Sequence, residues 1–306
     1  MTDTPESAKD AEREQAVRDT EAEIFAAVRS PDDSNPVMPV RLKPDDMFCF
    51  SCHKDVACWN ACCHGADITL TPKDILDLSK RLGIRPNAFL AKYTVPGIWD
   101  RADLPVAKLK MTDADGKGPC AFLSDAGCTV YEDRPTTCRY YPLGLASIKP
   151  KGADDKEDFS FLVREPHCKG HDEDHLQSVS AYREEQGIED HDRINRGWID
   201  ILMKMASWKN LGGPHGKDVA PQVKQMFFMV STDVDGFRKF VFETKFLDTY
   251  EIDSDAIELI KTDDEVLLLL GFDWMKNVMF QEATLTMKEH ILQAASAKAR
   301  QDMGAT

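Results

Sequence analysis

Two periodicities divide this chain. In LTPKDILDLSKRLG, Ile75, Leu78 and Leu82 line one face at helical spacing, so the run predicts a helix ended by Gly83. Thr71 stands where a cap belongs, Pro72 suits the first turn, and Asp74 is placed as a capping carboxylate. A second short helix is expected over Arg85–Tyr93. From Val106 to Val130 the pattern turns extended: VAKLKM, CAFL and CTVY alternate with the turn formers DADGKG and SDAG. That predicts a small antiparallel sheet with Cys120 and Cys128 on or near a hairpin. In YEDRPTTCRYYPLG, Pro135 and Pro142 bracket Cys138 in a short helical turn or loop. A further strand is expected at Phe159–Val163.

Beyond about His175 helical spacing takes over. It predicts helices over Leu176–Gln186, Ile194–Trp208, Val219–Met229, Asp235–Phe246, Asp253–Lys261, Asp263–Leu270 and Trp274–Ala299. Met226, Phe227, Phe228, Phe237, Phe240 and Phe246 read as core of that region. The expected fold is mainly α with a small antiparallel β element. It comprises an acidic mobile arm over residues 1–44, a metal-stapled cysteine-cluster domain over 45–174 and an all-helical domain over 175–306. The arm carries one marginal amphipathic helix at Ala11–Val28.

Composition narrows the function classes. The 306 residues carry 38 basic and 53 acidic side chains, a net charge of −15, which opposes binding to phosphate backbones and to anionic lipid. No apolar run approaches the roughly 18 residues of a membrane span, and the polar start MTDTPESAKDAEREQ has no signal-peptide pattern. A cytoplasmic address follows as the expectation, with neither nucleic acid nor membrane as partner. Nothing in the sequence marks a protein partner or substrate. In a reducing compartment clustered thiols serve metal binding or redox chemistry more often than disulfides.

The thiols are the chemical signal. Cys49, Cys52, Cys58, Cys62 and Cys63 crowd one short run, Cys120, Cys128 and Cys138 follow at intervals of eight and ten residues, and Cys168 lies in HCKGH. The two groups are expected to converge on one metal centre or two. Zinc takes four Cys or His ligands, and iron-sulfur clusters are typically held by four thiolates, so nine thiols suffice for two such sites. In extended backbone the adjacent Cys62 and Cys63 point to opposite sides, which suits two metals, or one metal and the groups around its ligands, better than chelation of one ion. Only Cys49 and Cys52 have the two-residue knuckle spacing. His53, His64, His167 and His171 flank the cysteines, and His171, three residues after Cys168, is the best placed to replace a thiolate. Iron-sulfur, zinc and unmetallated thiols all remain open. The stretch Asp113–Gly118 lacks the final carboxylate of a calcium loop and reads as a turn. LGGPHG at Leu211–Gly216 does not follow a clear strand and also reads as a turn.

FSCHKDVACWNACC with LTPKDIL and PCAFLSDAGCTVYEDRPTTCRYYP resembles the YkgJ-type cysteine-cluster family over about Phe48–Pro142. That resemblance implies zinc or iron chelation. It carries over Cys52, Cys58, Cys62, Cys63, Cys120, Cys128 and Cys138 as shared thiols, with Arg134, Pro135 and Arg139 around the last. Cys168 lies outside that core motif and joins the metal set on its own residue type; Cys49 is an extra. The cysteine pattern is also similar to that of flagellin lysine-N-methylase, which implies an iron-sulfur centre and S-adenosylmethionine. The functional expectation is a metal-binding protein holding an iron-sulfur cluster. The alternatives are a structural zinc module and a protein lysine methyltransferase-like enzyme.

Overall fold

A computed structural model describes residues 15, 37–113, 115–148, 157–213 and 218–302. From the N-terminus, strands β1 (Val37–Leu42) and β2 (Met47–Cys49) precede helices α1 (Pro72–Leu82) and α2 (Pro86–Tyr93). Strands β3 (Thr94–Trp99), β4 (Leu104–Leu109), β5 (Leu123–Ser124) and β6 (Gly127–Cys128) come next, then α3 (Thr136–Tyr140), β7 (Leu143–Ile148), β8 (Glu157–Val163) and β9 (Leu176–Ser178). The rest is helical: α4 (Val179–Glu185), α5 (Ile188–Asn210), α6 (Pro221–Thr232), α7 (Val234–Glu243), α8 (Phe246–Thr249), α9 (Ser254–Leu259), α10 (Asp264–Phe280) and α11 (Glu289–Asp302). The fold is mainly α with small antiparallel sheets.

The chain divides into two compact units that interleave along the sequence. The first comprises Met1–Ala66, Leu123–Thr129 and Thr137–Glu189; the second comprises Asp67–Phe122, Val130–Thr136 and Asp190–Thr306.

In the first unit, β1, β8 and β7 form an antiparallel sheet in the order β1-β8-β7, with Leu143 opposite Leu162 and Arg41 opposite Phe161. Residues 37–42 are therefore strand, where an arm was expected up to residue 44. The predicted helix at Ala11–Val28 lies, but for Gln15, outside the described residues. β2 pairs with β9, Met47 opposite Ser178 and Cys49 opposite Leu176. Leu176–Ser178 is thus strand instead of the first turn of a helix, because its backbone groups are taken by β2. Phe48, Phe50, Leu143, Val179, Tyr182 and Ile188 make the core, with Tyr182 edge-on to Phe48 at 5.5 Å between centroids.

In the second unit α1 follows its sequence signals closely. Thr71 Oγ1 accepts the Asp74 N–H, Asp74 Oδ2 accepts the Thr71 N–H, and Gly83 closes the helix at φ 64°. The extended run expected from Val106 is β4, which pairs with the unexpected β3, Thr94 opposite Leu109 through Trp99 opposite Leu104, while Cys128 stands on the β5–β6 hairpin as expected. Pro96 and Gly97 concealed β3; a Cβ on Gly97 would lie 2.8 Å from Lys108 Cγ across the pair. The core takes Leu104, Ile201, Met205, Phe227, Phe237, Phe246, Leu267 and Phe272, which includes three of the expected aromatic residues. α10 runs unbroken through Gly271, where two helices had been expected. A Cβ there would lie 2.6 Å from Val230 Cγ1, so this glycine sets the helix approach and does not end the helix.

Candidate metal centre

Cys49, Cys52, Cys58, Cys62, Cys63, Cys128, Cys138 and Cys168 all belong to the first unit, and none of them is in a disulfide. Cys120 belongs to the second unit, bridged to Met111, with its Sγ accepting the Phe122 N–H at 3.5 Å. Local backbone explains how the first-unit thiols are presented. Asn60, in the left-handed region at φ 65°, turns the chain into a single 3-10 turn at Ala61–Cys63 that exposes Cys62. The expectation that Cys62 and Cys63 point apart rested on extended backbone. In the 3-10 turn their thiols hydrogen-bond to each other. Gly127, at φ 106°, turns the β5–β6 hairpin against Trp59, to which a Cβ would come within 3.0 Å, and this sets Cys128 beside the segment that holds Cys58.

A second sulfur pair joins distant segments. Cys58 and Cys168 lie within hydrogen-bonding reach, the Lys169 N–H donates to Cys58 Sγ at 3.1 Å, and the Gly170 N–H donates to the Cys168 sulfur. The turn that carries Cys168 is seated by Gly170. Its carbonyl accepts the Ser51 N–H at 3.0 Å, and a Cβ there would meet Ser51 O at 2.7 Å. The Tyr141 hydroxyl is buried and faces Cys168, beside the Glu165 backbone.

Electrostatics separates the two pairs. Cys62 is brought down to about 7, chiefly by the hydrogen bond from Cys63, against partial burial; its own backbone and His64 assist and Glu165 opposes. Burial pushes the Cys168 thiol up, against the hydrogen bonds from Tyr141 and Gly170. Tyr141 is itself pushed well up by burial, then by Cys168 and Glu165, and so keeps its proton and donates. Glu165 acts on Cys62 and on Tyr141. Tyr141, Glu165, Lys169 and Gly170 were not singled out in the sequence; their signal was adjacency to cysteine in EPHCKG and RYYP.

The histidines are engaged elsewhere. His171 is buried with Nε2 donating to Val163 O at 3.1 Å and its ring edge-on to Phe50, and burial lowers its pKa. His53 Nε2 meets Glu173 at 3.2 Å, His64 Nδ1 meets Asn60 O at 3.2 Å, and His167 Nε2 lies 3.5 Å from Glu165. Arg139 is buried and donates to Gln186 O at 2.9 Å; Arg134 stacks on Tyr131, 4.2 Å from its ring centroid. The charges bearing on Cys62 are those of Glu165 and His64. Among the described residues no three His, Cys, Asp or Glu side chains are arranged to hold a metal ion. The donor chemistry, soft thiols presented in pairs with N–H groups aimed at sulfur, fits a thiophilic metal.

These features define a cysteine-cluster, metal-chelating class of domain. Residues 51–169 match the CxxCxxCC family, described as "Putative zinc- or iron-chelating domain", so the chain carries a domain of that family over this stretch, which is less than half its length. The match takes in Cys168 and leaves out Cys49. It supports metal binding without distinguishing zinc from iron. No curated protein and no solved structure matches the chain, so the likeness to flagellin lysine-N-methylase rests on the cysteine pattern alone. Among the described residues no helix is long and apolar enough to cross a membrane.

Proposed function

We propose that the first unit is a metal-binding module whose thiolates hold an iron-sulfur cluster. The observation that carries this reading is the double pairing of sulfurs, Cys58 with Cys168 and Cys62 with Cys63, with backbone N–H groups of Lys169 and Gly170 donating to the first pair. Thiolates are the ligating form, and such donors stabilise negative sulfur. Metal binding must displace the thiol protons, and at Cys62 that proton leaves near neutral pH. With the nearby histidines turned to carbonyls and carboxylates, the donors are sulfurs: the two pairs first, with Cys52, Cys128 and Cys138 of the same unit as the further candidates. An all-sulfur set suits iron-sulfur clusters as well as zinc. When bound, a cluster supplies one-electron redox capacity; the chain's own part is to present sulfurs, hold Tyr141 O–H on Cys168 and limit water at that edge.

The test is anaerobic purification of the full chain, with iron, acid-labile sulfide and zinc measured per chain. Iron with sulfide and visible absorption is the expected result. Stoichiometric zinc in a colourless protein would replace it with a structural zinc module, and a chain that retains neither metal after reconstitution would overturn the reading.

A further inference from the structure

We propose that Cys58 and Cys168 are also a reversible dithiol pair, oxidised to a disulfide by a low-molecular-weight disulfide, which withdraws two sulfurs from the metal-binding set. The withdrawal rests on the proposed metal reading; the pairing itself does not.

Three features mark this pair. Its members come from segments more than a hundred residues apart, yet their thiols stand within hydrogen-bonding reach, held there by the close seating of Gly170 on Ser51. Both are partly exposed, so a small disulfide can reach them. Donors stand at both sulfurs: the Lys169 N–H lies on Cys58, and the Gly170 N–H and Tyr141 O–H lie on Cys168, where they act against burial. Cys62 and Cys63, which also hydrogen-bond to each other, are adjacent in sequence. A disulfide there closes an eight-membered ring and strains the peptide between the two residues.

The exchange balances without further reactants. The Cys58 thiolate attacks one sulfur of RSSR, the S–S electron pair leaves on the other as RS−, and this takes up the proton Cys58 released to become RSH. A mixed disulfide Cys58–S–SR results. The Cys168 sulfur then attacks Cys58 Sγ, the second RS− leaves with the Cys168 proton, and the Cys58–Cys168 bond forms. Two electrons pass from the two thiols to RSSR, giving two RSH. Tyr141 acts as a positioning residue, its O–H holding the Cys168 sulfur as the attacking thiolate. An excess of RSH reverses both steps.

The experiment uses the full chain, freed of metal by chelation under anaerobic conditions and equilibrated in buffers of oxidised and reduced glutathione, with disulfides mapped by mass spectrometry. The expected first disulfide is Cys58–Cys168, reversible on adding reduced glutathione. Tyr141→Phe should slow closure by about three- to tenfold, the worth of one hydrogen bond, while glutathionylation of Cys58 keeps its rate. If Cys62–Cys63 or a mixture forms first, or if Cys168→Ser leaves no accumulated mixed disulfide at Cys58, the proposal fails. The oxidised protein is then offered iron with sulfide, or zinc. Reduced uptake supports the withdrawal of ligands. Closure of the pair with undiminished uptake would keep the redox pair and remove Cys58 and Cys168 from the metal set.

Discussion

Gly170 faces Ser51 so closely that a Cβ on the glycine would lie 2.7 Å from the Ser51 carbonyl oxygen, a backbone atom with little freedom to yield. The same contact holds the Ser51 N–H to Gly170 O and brings Cys168 to Cys58. Gly170→Ala should therefore cost about 1–3 kcal/mol of stability in urea denaturation and lower the metal retained per chain. A variant with wild-type stability and metal content would show that this seating does not govern the site.

Cys62 should titrate near pH 7 in the metal-free protein, about two units below the ordinary thiol value of 9.0. Because the folded value is depressed, its contribution to stability is present above pH 9 and is lost as pH falls through about 7. The rate of iodoacetamide alkylation at Cys62, followed by peptide mass, should rise with a midpoint near 7. Glu165→Gln should move that midpoint down and His64→Ala should move it up, since the carboxylate raises and the imidazole lowers the thiol. A midpoint near 9 would contradict the pairing with Cys63.

Lys73, 8% exposed at its side chain, reaches Asp77 at 2.7 Å, Glu265 at 2.9 Å and Asp190 at 3.3 Å. Burial opposes its charge, but the hydrogen bonds to Asp77 and Glu265 outweigh it and raise its pKa. Its contribution is therefore full below the unfolded value of about 10.4 and is lost as pH rises through the folded one. Lys73→Met removes the cation these three carboxylates share, leaving Asp190 and Glu265 to Arg193 and Asp77 to His191, and should cost about 1–3 kcal/mol at pH 7. The loss should shrink toward pH 4, where Asp77, itself raised by burial, takes up a proton. Equal losses at both pH values in urea denaturation would refute this account.

Asp74 is fully buried. Besides capping α1, its Oδ1 accepts both the N–H and the hydroxyl of Thr136, at 2.8 and 2.6 Å. Asp74→Ala leaves those donors and the Thr71 N–H without their acceptor. The expected loss is on the order of 3 kcal/mol, or roughly 6–12 °C in Tm by calorimetry. A shift under about 2 °C would mean that water replaces the carboxylate.

Legibility in the sequence followed the range of the interaction. The ends of α1 were readable because Thr71, Pro72, Asp74 and Gly83 act within one turn of the backbone they cap. β9 was not, since Leu176–Ser178 takes its extended form from pairing with Met47–Cys49, and spacing alone suggested a helix. Gly271 misled for a related reason: a glycine between apolar runs suggests a break, and only the packing of Val230 and Phe237 against it shows that the helix continues. At the site, the thiols themselves were visible, while Tyr141 and Gly170 showed only as sequence neighbours of cysteine, and their roles come from the contacts they make.

Local sequence determined the donors and the capped helices, because side-chain identity and short-range hydrogen bonds need no distant partner. Tertiary structure decided which sulfurs face one another. Cys58 meets Cys168 through a glycine on a carbonyl, and Cys62 meets Cys63 through one turn of 3-10 backbone. Contact across more than a hundred residues depends on how the backbone is seated, and spacing along the chain does not encode that.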